Sequence, residues 1–385
     1  SRRGQYLLKS FHSKGLNKSL FQISRRYLSE FSAQEGDNIK KVCRDNTVYS
    51  WSAQGKINPL VIKQCKGSYM WDWSGKKYID FNSGLMCSNL GHEHPKIIQA
   101  IKDQLDTLSF AAPQHATQIR AEASQAIVDV LPGDLNKIFF CTGGAEANEN
   151  ALKFARQYTK RNKIMSRYRS YHGGTHGSMI MSGDARRWTN EPGMGGVVRT
   201  FPTHKYRCPI YEKGMTDDQY AQKLVELMEY QLKYENPESF AGIIIEPVVG
   251  SNGIILPPGD YMQRVRKLCD KYGILMICDE VMTGFGRTGE MFAVDHWNVV
   301  PDIITSAKGL TSAYVPLGMC AVREHIMKAF ENTPFSGGLT YQAHPISMAA
   351  AKACMEVYKE EKVVENSKKL GNVMLGMMND LMKKH

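Results

Sequence analysis

Beyond Lys137 the sequence alternates short apolar runs with amphipathic helical stretches, and this alternation limits the fold more than any other feature. Strands are predicted at 138–141, 163–168, 241–249, 274–281 and 302–306, and helices at 145–158, 220–234 and 261–271. Alternation of this kind predicts a mostly parallel sheet that is covered on both faces. Such sheets bind their ligands at the carboxyl ends of the strands.

The segments on either side of this region follow other patterns. Residues 69–81 alternate aromatic and polar side chains around Ser74 and Gly75, which is typical of a hairpin. Helices are predicted from His94 onward and over 117–130, and a long helical region from Pro345 to the end is expected to break near Gly371.

Composition excludes several classes of protein. The chain has 385 residues, of which 42% are hydrophobic and 23% charged, as in ordinary globular proteins of one large or two smaller domains. Its apolar runs are far shorter than the ~20 residues of a transmembrane helix. Nine cysteines without a C-x-x-C pair argue against a disulfide framework and a zinc ribbon.

The net charge of +11 lies largely at one end of the chain. Residues 1–29 contain seven Lys or Arg and no acidic residue, with Ser and apolar residues between the charges. This composition is typical of a mitochondrial transit segment and does not indicate nucleic-acid binding. The alternative is a basic surface arm that docks a partner or a membrane.

Three predicted strands end in charged residues that are costly to bury. Glu246 follows one strand, Asp279 and Glu280 end the next, and Lys308 follows a third. Each alone would fit a buried ion-pair network, but together they indicate a ligand site at the carboxyl edge. A lysine amine can form a Schiff base with pyridoxal phosphate, whose ring nitrogen needs a carboxylate partner. Lys308 and Asp279 would take these roles, and Glu246 would reach the phenolic edge or the substrate.

Two further segments suit the same cofactor. Gly143, Gly144 and Ala145 lie between a predicted strand and a helix, where free N–H groups can bind a phosphate, although such turns are often only turns. Tyr171 and His172 follow another strand, where an aromatic ring could stack on a planar ligand or simply cover the core.

Two other patterns are given little weight. Residues 284–289 match G-x-G-x-x-G, but they lie late in the chain and no clear helix follows, so a dinucleotide site is not favoured. His172 and His176 have helical ligand spacing, but Gly173 and Gly174 disfavour a helix there, and no metal site is predicted.

These motifs together resemble the class III pyridoxal-phosphate aminotransferases of fold type I, the ω-aminotransferase family. The resemblance covers roughly residues 45–360 and is strongest over 277–289 and 302–309. Matching segments also occur at 140–153, 171–173, 245–247 and 340–345. Segments 51–56 and 85–92 are most similar to the branch that transfers amines from taurine, β-alanine or similar ω-amino compounds to pyruvate.

The resemblance implies a large domain with a mostly parallel seven-stranded sheet flanked by helices, and a smaller α+β domain built from both chain ends. The expected divisions are the basic segment 1–29, the small-domain part 30–85, the large PLP-binding domain 86–335 and a second small-domain part 336–385. By the family's pattern this last part is incomplete. Relatives continue for some tens of residues, which often supply an arginine for the substrate α-carboxylate.

The resemblance also implies roles for individual residues. The catalytic residues would be Lys308, Asp279 and Glu246. The cofactor-binding residues would be Gly143, Gly144, Ala145, Tyr171, His172, Asp279, Val281, Lys308 and Thr340. Trp51, Leu85 and Met86 would line the substrate pocket. Lys308 would form the Schiff base and shuttle a proton, Tyr171 and Val281 would cover the ring faces, and Thr340 would reach the phosphate of the neighbouring subunit in a homodimer.

The sequence departs from the family at two places. Ala145 stands where relatives usually carry Ser or Thr, so that one phosphate hydroxyl is missing, at a cost of about 1 kcal/mol in binding. Ser336 and Gly337 stand where relatives often have a bulky residue and a His, which changes the expected pocket shape.

The expected function is that of a transaminase of the mitochondrial matrix. It would move an amino group from an ω-amino compound (taurine, β-alanine or GABA-like) or an amino acid to an oxo acid such as pyruvate, with aminomutase or decarboxylase chemistry still open. The alternative is a catalytically idle, aminotransferase-like structural subunit of a mitochondrial assembly, which Ala145, Gly337 and the basic N-terminus suggest. The intact Asp279 and Lys308 argue against it.

Overall fold

The computed structural model describes residues 32–385, and the chain divides into two compact units at Phe81 and Asn82. The predicted transit segment 1–29 therefore lies outside the described residues. The domain boundaries expected from the family remain a prediction.

Within residues 32–81, the first unit contains one helix and a small antiparallel sheet. Its elements are α1 (Ala33–Asn46), β1 (Ile62–Lys66), β2 (Tyr69–Asp72) and β3 (Lys77–Ile79). The sheet has the order β1-β2-β3. Asp72 Oδ1 closes the β2–β3 turn, because it accepts bonds from the backbone N–H of Ser74 at 2.8 Å and of Lys76 at 3.0 Å. The hairpin predicted around Ser74 and Gly75 is confirmed.

The second unit is built on a seven-stranded sheet. Its strands are β4 (Leu135–Cys141), β5 (Lys163–Arg167), β6 (Val197–Thr200), β7 (Phe240–Ile245), β8 (Leu275–Asp279), β9 (Ile303–Ser306) and β10 (Gly318–Arg323). The strand order is β4-β10-β9-β8-β7-β5-β6. Only β10 runs antiparallel to its neighbours, since β5–β6, β5–β7, β7–β8 and β8–β9 all pair in parallel. The mostly parallel seven-stranded sheet is confirmed.

Helices cover this sheet. They are α2 (Ser83–Met86), α3 (Pro95–Thr107), α4 (Gln118–Val128), α5 (Gly144–Thr159), α6 (His176–Met181), α7 (Asp217–Tyr234), α8 (Tyr261–Tyr272), α9 (Glu324–Lys328), α10 (Pro345–Glu360) and α11 (Val363–Lys384). Within residues 32–385, none of the helices is long and apolar enough to cross a membrane.

The central strands are buried on both faces. Along β7, Ile243 and Ile245 pack into one hydrophobic cluster and Ile244 into another, as the two-residue period of a strand requires. The first cluster includes Leu224 of α7 and the second includes Phe154 of α5. The strands are therefore continuous apolar runs, which is why the sequence pattern marked them clearly.

The structure differs from the sequence-based expectations at one helix break and at two strands. The C-terminal helical region breaks at Lys362, whose φ of 50° ends one helix and starts the next, while Gly371 lies inside α11. A helix tolerates one glycine at a cost of about 1 kcal/mol, so Gly371 was a weak stop signal. Strands β6 and β10 were not predicted, because each follows a loop rather than a predicted helix and so falls outside the alternating pattern.

Candidate active site

Neighbouring parallel strands bring the charged residues together at one edge of the sheet. In the order of the strands, β9 leads to Lys308, β8 ends at Asp279, β7 leads to Glu246 and β5 leads to the loop that carries Tyr171. The strands predicted at 241–249 and 274–281 in fact end at Ile245 and Asp279, so the carboxylates of Glu246 and Asp279 lie at the strand ends.

The Asp279 carboxylate is buried, with 4% of the residue exposed, and three donors hold it. Its Oδ2 accepts from Asn148 Nδ2 and lies 2.8 Å from His172 Nδ1, and its Oδ1 accepts from the Val281 N–H at 3.0 Å. A carboxylate offers about four acceptor positions. The fourth, on Oδ1, is thus the position at which a further N–H donor would bind.

Asn148 is the centre of this network. Its Nδ2 donates to Asp279 and to the His172 carbonyl at 2.7 Å, and its Oδ1 accepts from Thr305 Oγ1 at 2.7 Å. The Thr305 hydroxyl thereby fixes which way the Asn148 amide points. Sequence reasoning missed both residues. Each could have been recognised as a polar residue in a buried position, Asn148 on the buried face of α5 and Thr305 within the buried strand β9.

His172 is fully enclosed beside Asp279. Because the carboxylate is an acceptor, Nδ1 carries the proton of the imidazole ring. Nε2 is buried and has no hydrogen-bond partner among the described residues. The His172 backbone N–H donates to Ser182 Oγ at 2.9 Å, so the residue links the loop after β5 to α6.

Glu246 connects two loops. Its Oε1 accepts from the Tyr171 N–H at 3.0 Å, and its Oε2 accepts from the Gly250 N–H at 2.8 Å. Burial raises the pKa of this carboxyl, His172 opposes the rise, and the nearby Asp279 adds to it. Glu246 therefore fixes the backbone from which the Tyr171 ring projects.

Arg186 packs on the ring of Tyr171, with its guanidinium carbon 3.9 Å from the ring centroid. Arg186 Nε donates to Asp184 Oδ2 at 2.8 Å, and Nη2 donates to Ser251 Oγ at 2.9 Å. Sequence reasoning missed Arg186, because it lies in a 3₁₀ segment at which no strand ends. Arg186 therefore brings a guanidinium, ion-paired with Asp184, to the Tyr171 ring.

The turn from β4 into α5 forms a cradle of backbone N–H groups. Helix α5 begins at Gly144, so the N–H groups of its first turn have no partner within the helix. A Cβ at Gly144 would lie 2.7 Å from Val281 Cγ1, and a Cβ at Gly173 would lie 2.4 Å from the Ala145 Cβ. The loops after β8 and β5 thus pack directly against the start of α5.

Lys308 opens a short 3₁₀ turn after β9 with a φ of 38°. Burial lowers the pKa of its amine, while Asp279, Cys87 and Glu246 oppose that effect. A lysine whose affinity for a proton is reduced is a better nucleophile.

Four other predicted site residues have fewer described contacts. Thr340 lies in an exposed loop before α10, and Leu85 and Met86 lie in α2, where Leu85 is 65% exposed. Trp51 belongs to the first unit and its ring is exposed. The roles assigned to these four residues stay predictions.

Comparison with known proteins identifies the family. Residues 51–385 match the sequence model described as "Aminotransferase class-III". The chain belongs to the class III aminotransferases.

Individual relatives agree with this assignment. A solved taurine:2-oxoglutarate aminotransferase from Bifidobacterium kashiwanohense, in complex with PLP and glutamate, is 43% identical with a TM-score of 0.88, over 91% of this chain and 79% of that one. The 5-aminovalerate aminotransferase DavT of Pseudomonas aeruginosa is 36% identical over 86% of this chain and 76% of its own. The mitochondrial gamma-aminobutyrate transaminase 1 of rice is 33% identical over 82% of this chain, which spans only 63% of the rice protein.

Class III aminotransferases use pyridoxal phosphate, and the residues present fit this cofactor. The N–H groups at the start of α5 suit its phosphate, and the remaining acceptor position of Asp279 suits its ring N–H. Lys308 supplies a partly buried amine. The expected cofactor and family are thus confirmed.

The two neighbouring glycines of the cradle provide a matched test. Replacing Gly144 by Ala should lower the stability of the apoprotein by about 1–3 kcal/mol, because the new methyl group overlaps Val281. Gly143 has a φ of −171° and open space around its Cα, so Gly143→Ala should change stability by less than about 0.5 kcal/mol. Urea unfolding of both variants measures the difference. Equal stability would show that Val281 does not pack against α5 as described.

Proposed function

We propose that the protein is a pyridoxal-phosphate transaminase that transfers the amino group of an ω-amino acid to an oxo acid, with Lys308 as the reactive lysine. The observation that carries this proposal is the placement of Asp279 at the end of β8 and of Lys308 just after the adjacent strand β9, at the edge where α5 also begins. Family membership supports the reaction class.

In this proposal each residue has a defined task. Gly144 and Ala145 bind the cofactor phosphate through their backbone N–H groups, and Asp279 keeps the ring nitrogen protonated. When bound, pyridoxal phosphate supplies an aldehyde carbon for the amino group and a ring that withdraws electrons. Lys308 Nζ takes a proton from the amine-bearing carbon and returns it. Asn148 and His172 hold the Asp279 carboxylate in place for this chemistry.

The substrate is proposed to be an amine with an acidic group at its far end. The names of the relatives mention taurine, 5-aminovalerate and gamma-aminobutyrate, and each of these compounds has that form. In this chain Arg186 lies on Tyr171 at the site, already oriented by Asp184 and Ser251. We assign to Arg186 the attraction of the acidic group.

The cofactor and the donor can be tested together. Purified protein loaded with pyridoxal phosphate should absorb visible light and lose that absorbance with taurine, β-alanine or γ-aminobutyrate. Lys308→Ala should reduce turnover by at least about a thousandfold, because both the covalent anchor and the proton carrier are lost.

Protein that stays colourless with added cofactor would support the idle structural subunit instead. Turnover by Lys308→Ala near the wild-type rate would remove Lys308 from its proposed role.

The role of Arg186 has its own signature. Arg186→Gln should raise KM for an acidic amine such as β-alanine by about tenfold, since a charge-assisted hydrogen bond is worth on the order of 1.5 kcal/mol. KM for a neutral amine such as 1-aminopropane should change little. Steady-state kinetics of both donors measure this selectivity, and an equal change for the two amines would argue that Arg186 only supports the Tyr171 ring.

We further propose a homodimer with shared active sites. The loop around Thr340 presents exposed aromatic surface, because Tyr341 is 59% exposed and packs edge-on against Phe110, itself 44% exposed, at 6.3 Å between ring centroids. Such a patch suits contact with a second copy, which would bring Thr340 to the neighbouring phosphate. A larger mitochondrial assembly would be an additional partner.

We also propose that residues 1–29 direct the protein to the mitochondrial matrix. The acid-free basic composition and the rice relative named as mitochondrial support this. The full chain with a fluorescent C-terminal tag should enter mitochondria, and replacement of Arg2, Arg3, Arg25 and Arg26 by Gln should abolish entry. Unchanged import of that variant would favour a docking arm.

A further inference from the structure

The glycine-rich loop after β8 contains a partly buried arginine, Arg287, to which the proposed reaction assigns no task. Arg287 Nη2 donates to Asn89 Oδ1, and its Nε is buried without a hydrogen-bond partner in the described part of the chain. None of the ion pairs found within residues 32–385 involves Arg287. A partly buried charge without a carboxylate partner costs free energy of desolvation, which calls for an explanation.

Asn89 connects Arg287 to the residue that follows Lys308. Asn89 Nδ2 donates to the Phe285 carbonyl at 2.9 Å. The same nitrogen lies so close to Gly309 that a Cβ there would be only 2.4 Å away. The Gly309 carbonyl in turn accepts from Tyr358 Oη at 2.7 Å. Gly309 is therefore held by Asn89 and by a side chain of α10.

This arrangement fixes Lys308 in a backbone conformation that it would rarely adopt alone. A φ of 38° lies in the left-handed region, which costs a residue with a side chain on the order of 1 kcal/mol or more. The contacts at Gly309 keep the turn in this form and so determine where the Lys308 side chain starts.

Titratable or charged groups on four segments influence the protonation of the Lys308 amine. Asp279 at the end of β8, Glu246 after β7 and Cys87 after α2 favour its protonated form, while Arg287 disfavours it. Burial, the largest effect, acts in the same direction as Arg287 and lowers the pKa of Lys308. Arg287 is the cation whose effect opposes the two carboxylates.

We propose that Arg287 is a positioning residue for Lys308, acting on the Gly309 backbone through Asn89 and on the amine through its positive charge, which no carboxylate neutralises. The importance of this role for catalysis rests on the proposed function. The contacts among Arg287, Asn89 and Gly309 do not depend on the proposed function, and they can be tested without measuring turnover.

The experiment measures the titration of Lys308 in the cofactor-free full-length protein. Reductive methylation with formaldehyde and cyanoborohydride across a pH series, followed by mass spectrometry of the Lys308 peptide, gives the apparent pKa. Arg287→Gln should shift the apparent pKa of Lys308 upward, because a positive charge that disfavours the protonated amine is removed. Hydrogen exchange of the amides of residues 308–312 should also become faster.

Three further variants separate the two effects. Arg287→Lys keeps the positive charge, so Lys308 should titrate as it does in the wild-type protein. Asn89→Ala keeps Arg287 and should accelerate exchange at residues 308–312 with a smaller pKa shift than Arg287→Gln. Arg264→Gln removes a positive charge from α8, where Arg264 pairs with Asp260, and should change neither readout.

An unchanged Lys308 titration in Arg287→Gln would overturn the proposal, and so would an Arg287→Lys variant that titrates like Arg287→Gln. If Arg287→Gln does not fold, Asn89→Ala and Arg287→Lys still decide between the outcomes. If wild type and all variants lack transaminase turnover while Lys308 titrates as expected, the result would count against the proposed function and leave the positioning role of Arg287 supported.

Discussion

A buried carboxylate at the end of β8 sets the requirement that the surrounding site has to meet. An Asp279 side chain removed from water would be strongly destabilising unless donors surround it. The chain supplies these donors from three directions: Asn148 from α5, His172 from the loop after β5 and the Val281 N–H from the following turn. The start of helix α5 and both loops are thereby held together, where α5 presents its free N–H groups.

Close backbone approach is the second condition for this site. Gly144 and Gly173 lie where a methyl group would overlap Val281 or Ala145, so the start of α5 is enclosed by the two loops. Ser178 Oγ donates to the Ala145 carbonyl at 2.8 Å, which ties α6 to the same turn. In the proposed cofactor site, backbone N–H groups carry the phosphate binding, and the small Ala145 side chain is compatible with the close approach of Gly173.

The parts of the site that the sequence predicted correctly are those where a local pattern ends. Apolar runs that stop at Glu246, Asp279 and Lys308 marked the ends of buried strands, and the parallel sheet placed them at one edge. Strands β6 and β10 and the turn at Lys362 were missed, since none of them has a local pattern that distinguishes it. Asn148, Thr305, Arg186 and Arg287 were missed because their meaning depends on partners distant in the chain.

The sequence by itself thus determined the layered α/β architecture, the mostly parallel sheet, and the carboxylate and lysine at the carboxyl edge of its strands. These follow from hydrophobic periodicity, which is a property of neighbouring residues. Only the tertiary structure decided which donors satisfy Asp279 and what holds the turn at Lys308. The hydrogen bonds of Thr305 to Asn148 and of Asn89 to Phe285 span 157 and 196 residues of chain. Such pairs form only after the order of the strands has brought these distant segments of the chain together.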